Sequence, residues 1–502
     1  LTTDQVAKLS TAQVAALTTA QAAVLNSDQV QAMTTAQIKA IETADFAALG
    51  TSAIGALTTA QTVALTTDQV VALTTAQAAK LSADSAAVLS TAQATALQTA
   101  DLASLSTAAV NALTTAAVSK LSTLQVSSMG TQQIAAMSVD QMAKLTTDQV
   151  VGLTTAQVAA VTSDQLGVMT TTQVAAMETA DVRALTTAGT AALTTAQVNA
   201  MDVGQLNALS SDQLQALTTS HIQALSSSQL NGLSSDAVQN LTSSELRAIT
   251  SAQLITVDVA QLDLLTSAQV QSLTTGQVQA LTTAQISKLT VGQMAALTSN
   301  QVAALSTGSM QQLSVDQVAS FTSAAVKGLT TDQISTLKTA QLAAMTTAQV
   351  ANLSVDQLNS LTTTQFGKLT ASQVAGLTTA QVKSLETQDL VQLTAEDQLQ
   401  AITTDGIKAM MAESFTAFTT AQVSKLTTGQ INVLSNTQLQ AIETADLQKL
   451  TNEQVQAITT AGIKALTVDQ VSNFTTAQIA ALTTGQVKAL TADQIVGLTT
   501  AQ

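Results

Sequence analysis

The chain of 502 residues predicts an all-α fold, a superhelical α-solenoid built from very short capped helices, one in every eight residues. Three observations carry that expectation. An apolar residue recurs at every eighth position, each octad holds a helix-start signature, and opposite charges collect at opposite ends of the octad.

The repeat comes first, because a fixed short period decides the architecture. With Leu1 as position one, every eighth residue to Leu393 is Leu, Ile, Met, Val or Phe. Position six (Val6, Val14, Val30, Ile38, Phe46) is nearly as strict, with Thr62 and Thr190 as polar exceptions. Position five is usually Gln, and positions two and three are usually Thr or Ser. A continuous helix does not fit this period. At about 100° per residue the apolar column would drift about 80° each octad and spiral over all faces. A turn must therefore interrupt every unit.

The turn falls at the paired threonines. Thr2 followed by Gln5 is a capping box, with Leu1 and Val6 at the two positions of a hydrophobic staple. The strictest apolar positions are thus the ones a helix start demands. Each unit then holds a helix of about six residues, ~9 Å long. Charge placement agrees independently. Of 17 Lys and Arg, 16 sit at positions seven or eight, and Lys338 is the exception. Of 32 Asp and Glu, 31 sit at positions two, four or five, and Asp263 is the exception. Acids in the first turn and bases in the last suit a helix dipole and have no counterpart in a strand. The alternative is a β-solenoid, favoured by Thr and Val but lacking the Gly and Asn usual at its corners.

Isolated helices this short are not stable in water, so stability must come from stacking, with Leu and Val inside and Ala allowing close approach. The array is read as one continuous stretch over 1–502 with a single register slip of one residue at 394–401, near Glu396, Asp397 and Gln398. A bulge or bend is expected there, and the unit Met410–Phe415 is the least typical. The chain starts inside the pattern and stops mid-unit, which reads as an excerpt of a longer array or as ends that pack on copies of itself.

Where position two is Glu (Glu42, Glu178, Glu386, Glu443) or Gln98, position five is Asp (Asp45, Asp181, Asp389, Asp446, Asp101). A shift of the N-cap onto the following Thr43 or Thr99 would explain the pairing. A cation site is the rival explanation, but the Gly-turn calcium loop is missing.

No catalytic, cofactor-binding or metal site emerges. His221 replaces Gln at position five and, with no Cys and no second His in the chain, reads as a substitute donating one hydrogen bond. The methionines (Met33, Met129, Met137, Met169, Met177, Met201) mostly hold position one as core fillers. The Gln column accounts for itself by capping and could also form amide ladders between units. A net charge of −15 without basic clusters argues against nucleic acid, and no apolar run approaches a membrane span. Absence of Cys removes disulfides.

Tandem octads such as residues 57–65 (LTTAQTVAL) and 153–161 (LTTAQVAAV) resemble the octapeptide repeat regions of very large secreted or surface proteins of bacteria, often labelled adhesin or hemolysin-like. The resemblance implies secretion and an extracellular or cell-surface location. The glycine- and aspartate-rich calcium nonapeptides that accompany such proteins are absent here. The expected function is structural: a stiff extracellular filament, sheath or adhesin stalk with self-association. The alternative is a Thr-rich repetitive binding surface for ice or polysaccharide. An enzyme is not expected.

Overall fold

The computed structural model describes residues 1–394 and 396–502. Nearly every octad forms one short helix, from Thr3–Ala7 to Ala492–Val496, and no strand occurs among the described residues. The β-solenoid is thereby ruled out.

The predicted start of each helix is where the helix begins. Thr2 is extended (φ −78°, ψ 162°), its hydroxyl accepts the Gln5 N–H, and the Gln5 side chain accepts the Thr2 N–H. The position-one residue closing the preceding unit is often extended as well, as at Ile41 (φ −65°, ψ 127°). Two extended residues therefore turn the chain, and no described residue has a positive φ. Corners of this kind need no left-handed residue, which is why Gly is scattered over the octad rather than fixed at one position.

The chain divides into two compact units, Leu1–Ile249 and Thr250–Gln502, with no break in the octad pattern at the division. Within the first unit helices pack on the one three further along, as Thr19–Ala23 does on Thr43–Ala48. The second unit repeats this, with Thr275–Ala280 on Ser299–Ala304. Side-chain bonds reach back to the octads three and four earlier, so between three and four octads complete one turn in each unit. The core is two columns wide: position six (Val14, Ile38, Val302) and position one (Leu49, Leu305) are buried.

The polar exceptions in the core are satisfied internally. The buried Thr62 and Thr190 hydroxyls donate to the Thr58 and Thr186 carbonyls one helical turn back, at 3.1 Å each. One octad tightens to a 3-10 helix, Ala325–Gly328, where the backbone approaches that of Ser299 closely. A Cβ on Gly328 would lie 2.0 Å from the Ser299 carbonyl oxygen.

Ala395, inside the expected register slip, lies outside the described residues. The flanks show how the extra residue is absorbed. Leu393 and Leu399 both stay buried although six residues apart instead of five. Gln422 reaches back 32 and 29 residues, to the carbonyls of Leu390 and Leu393, while Gln430 reaches 31 and 28, to Leu399 and Ile402. The register is thus restored within one turn. In the atypical unit that follows, Phe415 is buried and meets Phe418 edge to face at 5.3 Å.

Candidate functional site

A helix of five or six residues is nearly all ends, and its unpaired N–H and C=O groups need partners. The position-five Gln supplies both kinds. Gln37 accepts the Thr34 N–H on Oε1 at 2.7 Å, while its Nε2 donates to the carbonyls of Val6 (3.0 Å) and Leu9 (2.6 Å). In the second unit Gln301 accepts from Thr298 (2.9 Å) and donates to Val270 (2.9 Å) and Leu273 (2.8 Å). One amide therefore finishes the start of its own helix and the end of a helix in the turn below. The expectation of amide ladders changes in kind: the rungs run from amide to backbone carbonyl across turns, not from amide to amide.

The first turn provides an internal control. Gln5, Gln13 and Gln21 have no turn beneath them and are exposed, Gln29 is half-buried, and Gln37 is buried at 2%. Burial of the column thus follows from the turn below, not from the octad itself.

Replacements at position five show what the rung requires. His221 keeps it: Thr218 N–H donates to Nδ1 at 3.1 Å, which leaves the hydrogen on Nε2, 2.7 Å from the Leu193 carbonyl oxygen. Gly189 gives it up, and Leu166 fills the space, its Cδ1 only 2.6 Å from where a Cβ would stand. At Ala237, Asn207 from the preceding turn takes over, accepting the Ser234 N–H at 2.8 Å and donating to the Gly232 carbonyl at 2.9 Å. Position-seven amides repeat that second bond elsewhere, as from Asn111 to Ala136 (2.6 Å) and from Gln440 to Ala465 (2.6 Å). The sequence reading missed this second ladder, whose signal is the recurrence of Asn and Gln at position seven.

The acid pairs behave differently from the expectation. The helices still begin at Thr43 and Thr99, and Glu42 and Gln98 occupy the N-cap without any side-chain capping bond, so the cap does not move to the following Thr. Instead the shorter Asp accepts a hydroxyl from the turn below, Thr19 to Asp45 at 3.0 Å and Thr75 to Asp101 at 3.1 Å. Gln98 donates to the Val71 carbonyl at 2.8 Å, restoring part of the rung that Asp101 abandons. Burial pushes the carboxyls of Asp101 and Asp181 upward; the Thr75 bond lowers the first, and the charge of Glu178 raises the second further. Asp389 is pushed up to about 6 by burial and by the charge of Glu386.

Outside the rungs, the Thr2-type hydroxyls are committed to capping, whereas many Thr3-type residues, such as Thr3, Thr11 and Thr35, stand exposed on the first turn of their helices. A cavity of about 120 Å³ beside the register slip is bounded by Leu393, Leu399 and Gln422. Among the described residues no three His, Cys, Asp or Glu gather as metal ligands, and no helix is long and apolar enough to cross a membrane.

No curated protein matches this chain. The model of the ALTTAQ repeat family does, in 12 places, some overlapping: residues 1–35, 38–75, six that together run over 94–243, then 273–307, 334–371, 439–476 and 472–500. With most of its length covered by that repeat, the chain belongs to the ALTTAQ repeat family.

Proposed function

We propose that this structural repeat protein serves as building material: a stiff element of an extracellular filament, sheath or adhesin stalk. The observation that carries the reading is the Gln rung. The most regular polar side chain of the octad is spent on joining one turn to the next, at Gln61 as at Gln301. Uniform units whose polar chemistry serves the fold suit a molecule selected for length and surface rather than for a pocket. His221 acts as a rung and Asp45 as a hydroxyl acceptor, and no catalytic role is assigned to either. The extracellular location and self-association rest on resemblance to bacterial surface repeats and on the low charge of the surface. Electron microscopy of the purified chain tests the proposal. Rods or filaments are the expected result, and isolated compact particles would overturn it.

A second reading is favoured by one observation. Many Thr3-type residues, such as Thr3, Thr11 and Thr35, are exposed and recur with the octad, as a regular surface for ice or polysaccharide requires, while Thr19 and Thr75 spend their hydroxyls on Asp45 and Asp101. Its test is inhibition of ice recrystallisation, or retention on immobilised polysaccharide, that is lost when several Thr3-type residues are changed to Ala.

A further inference from the structure

Position five has one occupant that matches Gln in length but, when ionised, has no hydrogen to donate across the turn: Glu245, which is 2% exposed. Glu has the length of Gln, and it keeps half the rung. Its Oε2 accepts the Thr242 N–H at 2.6 Å and the Thr242 hydroxyl at 2.7 Å. Its Oε1 is buried with no hydrogen-bond partner.

The neighbouring rungs fix what Oε1 faces. Gln213 donates to the carbonyls 31 and 28 residues back, Val182 and Leu185, at 2.9 and 2.8 Å. Gln229 does the same to Val198 and Met201 at 3.1 and 2.8 Å. His221, on the helix packed directly against that of Glu245, faces Leu193 at the same spacing of 28. In this register the carbonyls of Leu214 and Leu217 lie opposite Glu245. An ionised side chain would set one acceptor against two others where water is excluded, a costly arrangement. One hydrogen on Oε1 removes the conflict. An ion does not serve, because the rung spans hydrogen-bond distance and Glu is no shorter than Gln.

We propose that Glu245 is a proton-operated latch: in the closed turn Oε1 carries a hydrogen and donates it to the carbonyls of Leu214 and Leu217, and loss of that proton to solvent opens the turn around helix Ser243–Ala248.

Three charged or titratable residues accompany the latch. His221 lies on helix Thr219–Ala224, Asp212 on helix Ser211–Gln215 and Arg247 on the latch helix itself. Burial raises the Glu245 carboxyl above its ordinary range, against the lowering effect of its two bonds from Thr242. For a folded value raised above the unfolded one, the stabilisation is complete below the ordinary carboxylate range. It is lost as pH rises through the folded value.

Hydrogen exchange of the segment 242–249, corrected for intrinsic rates and followed from acidic to alkaline pH, tests the latch in the full chain. A His221→Gln background removes the imidazole of the adjoining rung. With Glu245 present, the opening equilibrium should rise about tenfold per pH unit above roughly pH 4.3 until the folded pKa is reached, and then level off. Glu245→Gln, which installs the column's own default residue, should abolish that rise. The infrared difference spectrum between the two should contain one protonated-carboxyl band that disappears at the same pH. A pH profile that Glu245→Gln leaves unchanged, or no such band, would overturn the proposal. So would protection at alkaline pH that calcium chloride restores, since a cation would then be filling the place of the proton.

Discussion

Gln61 and Met33, twenty-eight residues apart, are joined by a buried hydrogen bond of 2.7 Å from the Gln61 amide to the Met33 carbonyl. The same side chain accepts the Thr58 N–H at 2.9 Å, so one residue terminates two helices in different turns. Gln61→Met keeps the volume and removes both functions, leaving buried backbone groups unpaired. The expected cost is about 2–4 kcal/mol in local opening. Gln5→Met in the first turn, where only the cap is lost, should cost under about 1 kcal/mol. Hydrogen exchange around residues 30–33 and 58–62, set against residues 1–6, separates the two.

That contrast also shows how far the sequence could be read. The capping box, the staple of Leu1 and Val6, and the apolar columns are local signals within one octad, and all were legible. The bond from Gln61 to Met33 was not, because nothing inside an octad tells how many octads make a turn. That number depends on the pitch at which Leu and Val columns pack. The acid pairs failed for a related reason: Asp45 is explained by Thr19, twenty-six residues earlier, and not by its neighbour Glu42. The donated bond of His221 was legible because the Gln it replaces can donate one; its acceptance of the Thr218 N–H follows the capping role of the same column.

Asp389 gives a pH dependence of known sign. Its folded pKa of about 6 lies above the ordinary value, through burial and the charge of Glu386, so its contribution to stability is full below about pH 4. It is lost as pH rises through 6. Glu386→Gln should bring the folded value down and narrow that window from the alkaline side. Carboxyl titration by NMR on selectively labelled aspartate, beside local exchange over residues 386–393, reads both effects.

Leu217 sits in the position-one column at 5% exposure. Leu217→Asp buries an unpaired charge, which is strongly destabilising. Each turn contacts only its neighbours, so the damage should stay within about four octads on either side. Exchange protection lost evenly along the chain would contradict that expectation.

The Thr62 hydroxyl is bonded to its own helix, at the Thr58 carbonyl, in a column held mostly by Val, Ile, Leu and other apolar residues. Thr62→Val removes a buried hydroxyl without orphaning a donor elsewhere and restores the column's usual methyl. A gain of about 0.5–1.5 kcal/mol is expected, visible as slower exchange of residues 62–65.

Gly328 and Gly50 separate two reasons for carrying glycine in a fold that has no left-handed corner. At Gly328 an added Cβ would strike the Ser299 backbone, with the carbonyl oxygen at 2.0 Å and the carbonyl carbon at 2.5 Å, so neither partner can yield by rotating a side chain. Gly328→Ala must push two turns apart and should cost about 1–3 kcal/mol. Gly50 has nothing within 4 Å of its added Cβ and occupies an N-cap with no side-chain bond to the helix Thr51–Gly55. Gly50→Ser supplies the hydroxyl that Ser10 and Ser90 already use to cap their helices, and a gain of a few tenths of a kcal/mol is expected. Local exchange of residues 51–56 and 325–329 in the two variants should therefore shift in opposite directions. A destabilised Gly50→Ser would show that the start of this helix is held by packing and not by its cap.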